Sequence, residues 1–133
     1  NPKAVIDIAT LTGARIIALG NHAIGLFSNE EELVKKLESA GQKTYERVWQ
    51  LPLFEEYGDS LKSFVADMKH TGGKEGGSIV AAFFLSKFAT FPWVHLDIAG
   101  LVSSENEKPY TPKWATGLGA RLLTQFLRDW ATK

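Results

Sequence analysis

Three short apolar runs, AVIDIA at 4–9, AIGLF at 23–27 and WVHLDIA at 93–99, most narrow the folds open to this chain. In the first, β-branched Val5, Ile6 and Ile8 lie between Pro2 and the turn residues Thr10 to Gly13, which predicts a buried strand over Ala4 to Ala9. Ala14 to Leu19 reads as a short helix stopped by Gly20 and Asn21, and Ala23 to Phe27 as a second strand. Ser28 precedes Glu31 by the capping-box spacing, and the helix that follows places Leu33, Val34, Leu37 and Ala40 on one face before Gly41 ends it. Apolar strands that alternate with helices predict an α/β sheet covered on both faces. Ligands of such sheets gather where strands end at their carboxyl side, which singles out two loops, Thr10 to Ala14 and Ala99 to Ser103.

The rest of the chain is read more coarsely. Val48 to Met68 mixes Trp49, Pro52, Phe54 and Tyr57 with acidic residues and predicts only short irregular elements. Ser78 to Phe88 is apolar almost all round, as expected of a helix buried on most sides, and Trp93 to Ala99 resumes the strand pattern. Leu122, Leu123, Phe126, Leu127 and Trp130 recur at helical spacing opposite Thr124, Gln125, Arg128 and Asp129, giving an amphipathic last helix. With 133 residues, 44% of them hydrophobic, one folded domain is expected. Its 15 basic residues balance 15 acidic ones, so no field of one sign exists to gather nucleic acid or anionic lipid. There is no cysteine, hence no disulfide framework and no thiolate metal site, which fits a reducing cytoplasm. Neither a signal peptide nor a long uncharged apolar run is present, so a soluble protein is expected. The chain opens without Met and turns apolar within three residues of Asn1, as a piece of a longer polypeptide would, or one trimmed of its first residues.

Candidate chemistry is sparse. His22, His70 and His95 form no i,i+4 pair, but His95 and Asp97 alternate on a predicted strand and so share a face. Such a pair could ligate a metal or join a base to its orienter, or His95 could be a core histidine satisfied by a neighbouring carboxylate. Asp7 and Asp97 sit inside apolar strands, where an unpaired charge costs on the order of several kcal/mol. Each is either catalytic or an acceptor of backbone and Thr hydrogen bonds that fix its strand-end loop. GGKEGGS at 72–78 leads into a helix, yet Ser78 stands where a phosphate loop needs Lys, and Gly117-x-Gly119 is followed by Leu122 where a dinucleotide fingerprint needs a third Gly. Both read as loop and cap glycines. Ser60, Ser103 and Ser104 lack the Gly-x-Ser-x-Gly setting of an activated serine.

Several stretches, in this order, resemble the leucyl aminopeptidase (cytosol aminopeptidase) family: VIDIATLTGA at 5–14, VWQLPL at 48–53, ADMKHTGG at 66–73, AAFFL at 81–85, WVHLDIAG at 93–100 and ATGLGARLL at 115–123. The resemblance covers nearly the whole chain and implies the C-terminal part of a catalytic domain with a three-layer mixed sheet, of the phosphorylase/hydrolase-like kind, helices on both faces. It implies a cytoplasmic hydrolase that releases N-terminal residues, often leucine, from peptides, using a water activated by two divalent ions such as zinc, manganese or magnesium. It further implies a homo-oligomer, a hexamer of two stacked trimers. The family's metal ligands, catalytic lysine and bicarbonate-binding arginine precede DIATLTGA in an Asn-Thr-Asp-Ala-Glu-Gly-Arg segment and its surroundings, which are absent here. Neither bound metal nor peptidase activity is therefore expected of these residues alone.

Substrate contacts carry over one by one. The resemblance gives Thr10, Leu11 and Gly13 to the substrate's N-terminal residue, Leu11 through its carbonyl, and Ala99 and Val102 to the same specificity pocket. Thr71 matches the apolar prime-side position of the D-x-x-N-x-G stretch. His70 replaces the usual Asn there, Thr71 is more polar than the common residue, and Val102 is smaller than the Met of some relatives, so leucine preference is not implied. The competing reading is a non-catalytic α/β binding or assembly module; a nucleic-acid role, suggested by side functions of some relatives, is opposed by the zero net charge.

Overall fold

Four strands, β1 (Val5–Ala9), β2 (Ile24–Ser28), β3 (Val48–Gln50) and β4 (Trp93–Asp97), form one mixed sheet in the order β1-β4-β2-β3 in a computed structural model that describes residues 2–132. β4 runs parallel to β1, with Val5 opposite Trp93 and Ala9 opposite Asp97, and antiparallel to β2, with Gly25 opposite Asp97. β2 and β3 are parallel. Every residue of β4 is buried, as its place between two neighbours in a sheet covered on both faces requires.

Because strand side chains alternate, the sheet has two chemically different faces. On one, Ile24, Leu26, Val48, Val94 and Leu96 pack against Leu33, Val34, Leu37 and Ala40 of α2 (Glu31–Thr44) and Leu122 and Phe126 of α4 (Ala120–Ala131). The other presents Gly25, Phe27, Trp93, His95 and Asp97 toward α1 (Gly13–Leu19) and α3 (Gly77–Ser86). This is the expected three-layer mixed sheet. A second apolar cluster, Leu61, Val80 and Phe83, joins α3 to a 3-10 helix over Glu55–Leu61. β5 (Ser103–Ser104) and β6 (Trp114–Ala115) make a small antiparallel ribbon.

Several local expectations change. Ser28 does not cap α2: it is the last residue of β2, and its hydroxyl goes to Trp93 and Glu30 carbonyls, leaving Glu30 to cap through its own carboxylate. Gly41 does not end α2, which continues to Thr44; the absent side chain lets the helix pass the Glu46–Val48 backbone, where a Cβ would meet Glu46 O at 3.0 Å. The strand from Trp93 stops at Asp97 because its carboxylate takes the Ala99 amide and turns the chain. In α4, Leu127 lies 62% exposed, off the buried Leu122–Phe126 stripe. Gly119 caps α4 at φ 95°, and the helix N–H groups are satisfied from afar: Glu46 Oε2 accepts from Gly119 N at 3.1 Å and Leu122 N at 2.8 Å, while Oε1 accepts from Arg121 Nε at 3.2 Å. No helix among the described residues is long and apolar enough to cross a membrane.

Candidate functional site

The parallel pairing of β1 and β4 brings their carboxyl ends side by side, so the loops that follow them meet. Asp97 joins the two. Its Oδ1 accepts from Leu11 N and Ala99 N, each at 3.1 Å, and its Oδ2 from Thr12 Oγ1 at 2.7 Å and Ser78 Oγ at 3.4 Å. A buried carboxylate is tolerated when its oxygens are filled in this way. Asp97 is thus the loop-fixing acceptor that one of its two sequence readings describes.

Thr12 also caps α1, its hydroxyl oxygen accepting from Arg15 N at 3.1 Å. Arg15 is fully buried, and its guanidinium donates to three carbonyls: Nη1 to Gly20 O and Ala99 O, both at 2.8 Å, and Nη2 to Ala23 O. Burial lowers its pKa from the ordinary arginine value, partly offset by the nearby charge of Asp97. Asp97, Thr12, Arg15 and Ala99 therefore close a ring of hydrogen bonds. Gly25 makes room for it: a Cβ there would lie 3.3 Å from Arg15 Cγ and 3.6 Å from Asp97 Cβ.

His95 and Asp7 are paired through Nδ1 and Oδ1, and Trp93 Nε1 donates to the second Asp7 oxygen at 2.6 Å. The imidazole is fully buried between the Phe27 and Trp93 rings, with centroids 6.0 and 6.3 Å away. This matches a core histidine paired with a carboxylate at Nδ1, while its buried Nε2 meets no hydrogen-bond partner among the described residues. His22 and His70 are exposed and separate from it. Ser60 and Ser104 spend their hydroxyls on the Tyr57 and Asn106 carbonyls.

Of the six residues singled out for substrate, Leu11 and Ala99 are drawn to one carboxylate oxygen, with Thr10 and Gly13 beside the first and Val102 three residues beyond the second. Thr10, Leu11, Gly13 and Val102 are exposed and Ala99 is buried. Thr71 is exposed on another loop, whose Gly72 packs against Ser60 and Val80. A cleft of about 1450 Å³ lined by Tyr45, Glu46, Arg47 and Arg121 meets the second loop at Gly100, Leu101 and Ser103 but is walled by none of the six. Its position gives no reason to prefer it over the junction of the strand ends. Arg15 escaped the sequence reading because its partners are carbonyls, which no residue pattern encodes.

Among the described residues no three His, Asp or Glu side chains gather as a metal site would need. Asp97 and Asp7, the carboxylates nearest the two loops, already hold protein donors. The residues present do not fit a resident metal pair.

The model of the cytosol aminopeptidase family catalytic domain matches residues 1–124. A probable cytosol aminopeptidase of Geotalea uraniireducens (strain Rf4) is 56% identical over 128 residues, 96% of this chain and 26% of that protein. Its counterpart from Roseiflexus castenholzii is 52% identical over 132 residues, 98% of this chain and 27% of that protein. Among solved structures, a mutant tomato leucine aminopeptidase matches with TM-score 0.88 and 39% identity over 96% of this chain and 25% of its own. The bottromycin maturation enzyme BotP matches with TM-score 0.92 and 35% identity over 100% of this chain and 30% of its own. The chain spans about a quarter of the length of the curated relatives it matches.

Proposed function

Because this chain belongs to the cytosol aminopeptidase family, we propose that its two strand-end loops form the recognition wall of a metal-dependent aminopeptidase whose ion ligands lie outside these 133 residues. The observation that carries this reading is Asp97, which draws Leu11 N and Ala99 N to one oxygen. That contact sets two loops from opposite ends of the sequence into a single surface. Thr10, Leu11 and Gly13 then receive the N-terminal residue of a peptide, with the Leu11 carbonyl turned to its amine. Ala99 and Val102 border its side chain, and Thr71 lies toward the residue beyond the scissile bond.

In this reading the chain orients substrate and leaves activation of water to ions held elsewhere. Fixed loops suit that work, since a wall displaced by about 1 Å can lower rate on the order of a hundredfold. The test compares the polypeptide encoded with the adjoining upstream sequence against the 133 residues alone, using a leucyl chromogenic amide and manganese. Turnover by the longer polypeptide and none by the shorter supports the reading. Turnover by the 133 residues together with a stoichiometric divalent pair, or an upstream sequence with no metal-ligand block, overturns it in favour of a self-contained enzyme or a non-catalytic module.

A further inference from the structure

Ile98 to Leu101 form a β-turn closed by Leu101 N donating to Ile98 O at 3.0 Å, with Ala99 and Gly100 at its centre. Gly100 has φ 76°, the value a type II turn requires at its third position. Types I and II differ by rotation of the central peptide, here the one linking Ala99 to Gly100, and glycine permits both. The carbonyl of that peptide is Ala99 O, to which Arg15 Nη1 donates at 2.8 Å. The peptide before it, Ile98–Ala99, is fixed separately, its N–H on Ala99 donating to Asp97 at 3.1 Å. We infer that Arg15 is a positioning residue that locks the Ala99–Gly100 peptide in the type II orientation and so sets the width of the pocket for the substrate's first side chain.

The guanidinium suits this task. It is itself immobilised by the Gly20 and Ala23 carbonyls, so the Ala99 carbonyl is tied to a fixed point and not to a mobile surface group. Helix α1 closes from the same side: a Cβ on Gly100 would stand 2.8 Å from Ile16 Cγ1. Arg15 thereby couples the wall made by Thr10 to Gly13 with the wall made by Ala99 and Val102. This inference rests on the recognition-wall reading above for its consequence, but the lock itself can be read without substrate.

The test uses the full polypeptide in which the chain occurs, carrying Arg15→Met or Arg15→Lys, with alanyl, leucyl and phenylalanyl p-nitroanilides. Arg15→Met is expected to change the leucyl-to-alanyl ratio of kcat/KM by about tenfold, through KM, and Arg15→Lys by about threefold, since the ammonium restores charge but not the fork. A smaller folded fraction would scale all substrates alike and leave the ratio unmoved. Should Arg15→Met not accumulate, the Arg15→Lys ratio decides. In the lysine variant the Gly100 amide resonance is expected to move to the average of the two orientations as the peptide samples both; an unmoved resonance with unchanged ratios overturns the inference. A wild-type polypeptide that cleaves none of the three substrates refutes the aminopeptidase reading alone, and the Gly100 resonance still decides the lock.

Discussion

Thr12 donates its hydroxyl proton to Asp97 Oδ2 at 2.7 Å and, through the same oxygen, accepts the Arg15 amide at 3.1 Å. One side chain thus starts α1 and ties it to the end of β4. Thr12→Ala removes both bonds and is expected to destabilise the fold by about 2 kcal/mol, within the range for a lost N-cap plus a carboxylate hydrogen bond. Thr12→Ser keeps the oxygen and should lose well under half of that. Urea denaturation checks it: the midpoint falls for alanine with little change in slope.

Glu46 does for α4 what no residue next to that helix does. Glu46→Ala leaves the Gly119 and Leu122 amides without their buried acceptor and is expected to cost about 2–3 kcal/mol. Glu46→Gln retains an acceptor oxygen and should cost less. Hydrogen exchange at Leu122 separates the cases, accelerating most in the alanine variant.

At the surface, the hydrogen bond from Lys43 holds the Asp129 carboxyl below its ordinary value of 3.8. A carboxylate with a depressed folded value contributes stability above its unfolded value and loses it as pH falls through the folded one. Lys43→Ala should therefore raise the Asp129 titration midpoint, followed by carbon-detected NMR between pH 2 and pH 6. A midpoint that stays in place would show that the 2.8 Å contact does not persist in solution.

Val102 is 36% exposed beside the fixed Ala99 turn. If Val102 borders the substrate side chain as proposed, Val102→Met in the longer polypeptide adds bulk there and is expected to lower kcat/KM for phenylalanyl relative to alanyl substrates by roughly tenfold. Steady-state kinetics on the two p-nitroanilides measures it; equal ratios would place Val102 outside the pocket.

The strands were legible because β-branched runs bounded by glycine and proline leave few other conformations, and AVIDIA, AIGLF and WVHLDIA all became strands within a residue or two at each end. Their order was not, since β1-β4-β2-β3 depends on pairings between residues far apart that local pattern does not encode. That the loops after the first and fourth strands lie together is legible only once those strands are known to pair in parallel, whereas a carboxylate inside an apolar strand such as Asp97 already asks for the loop donors it receives from Leu11 and Ala99. Arg15 was hidden by an inversion of the usual helix logic. In GARIIAL the cation is buried and Ile17 is 90% exposed, because α1 ends where three carbonyls face inward. Glu46 was hidden for a similar reason, capping a helix more than seventy residues away.

The bond from Leu11 N to Asp97 spans 86 positions of sequence. Closing so large a loop is slow and cannot begin until its distal partner has been synthesised. On the ribosome the surface must therefore mature late, after β4 has emerged. Until then β1 lacks β4, the strand it pairs with among the described residues.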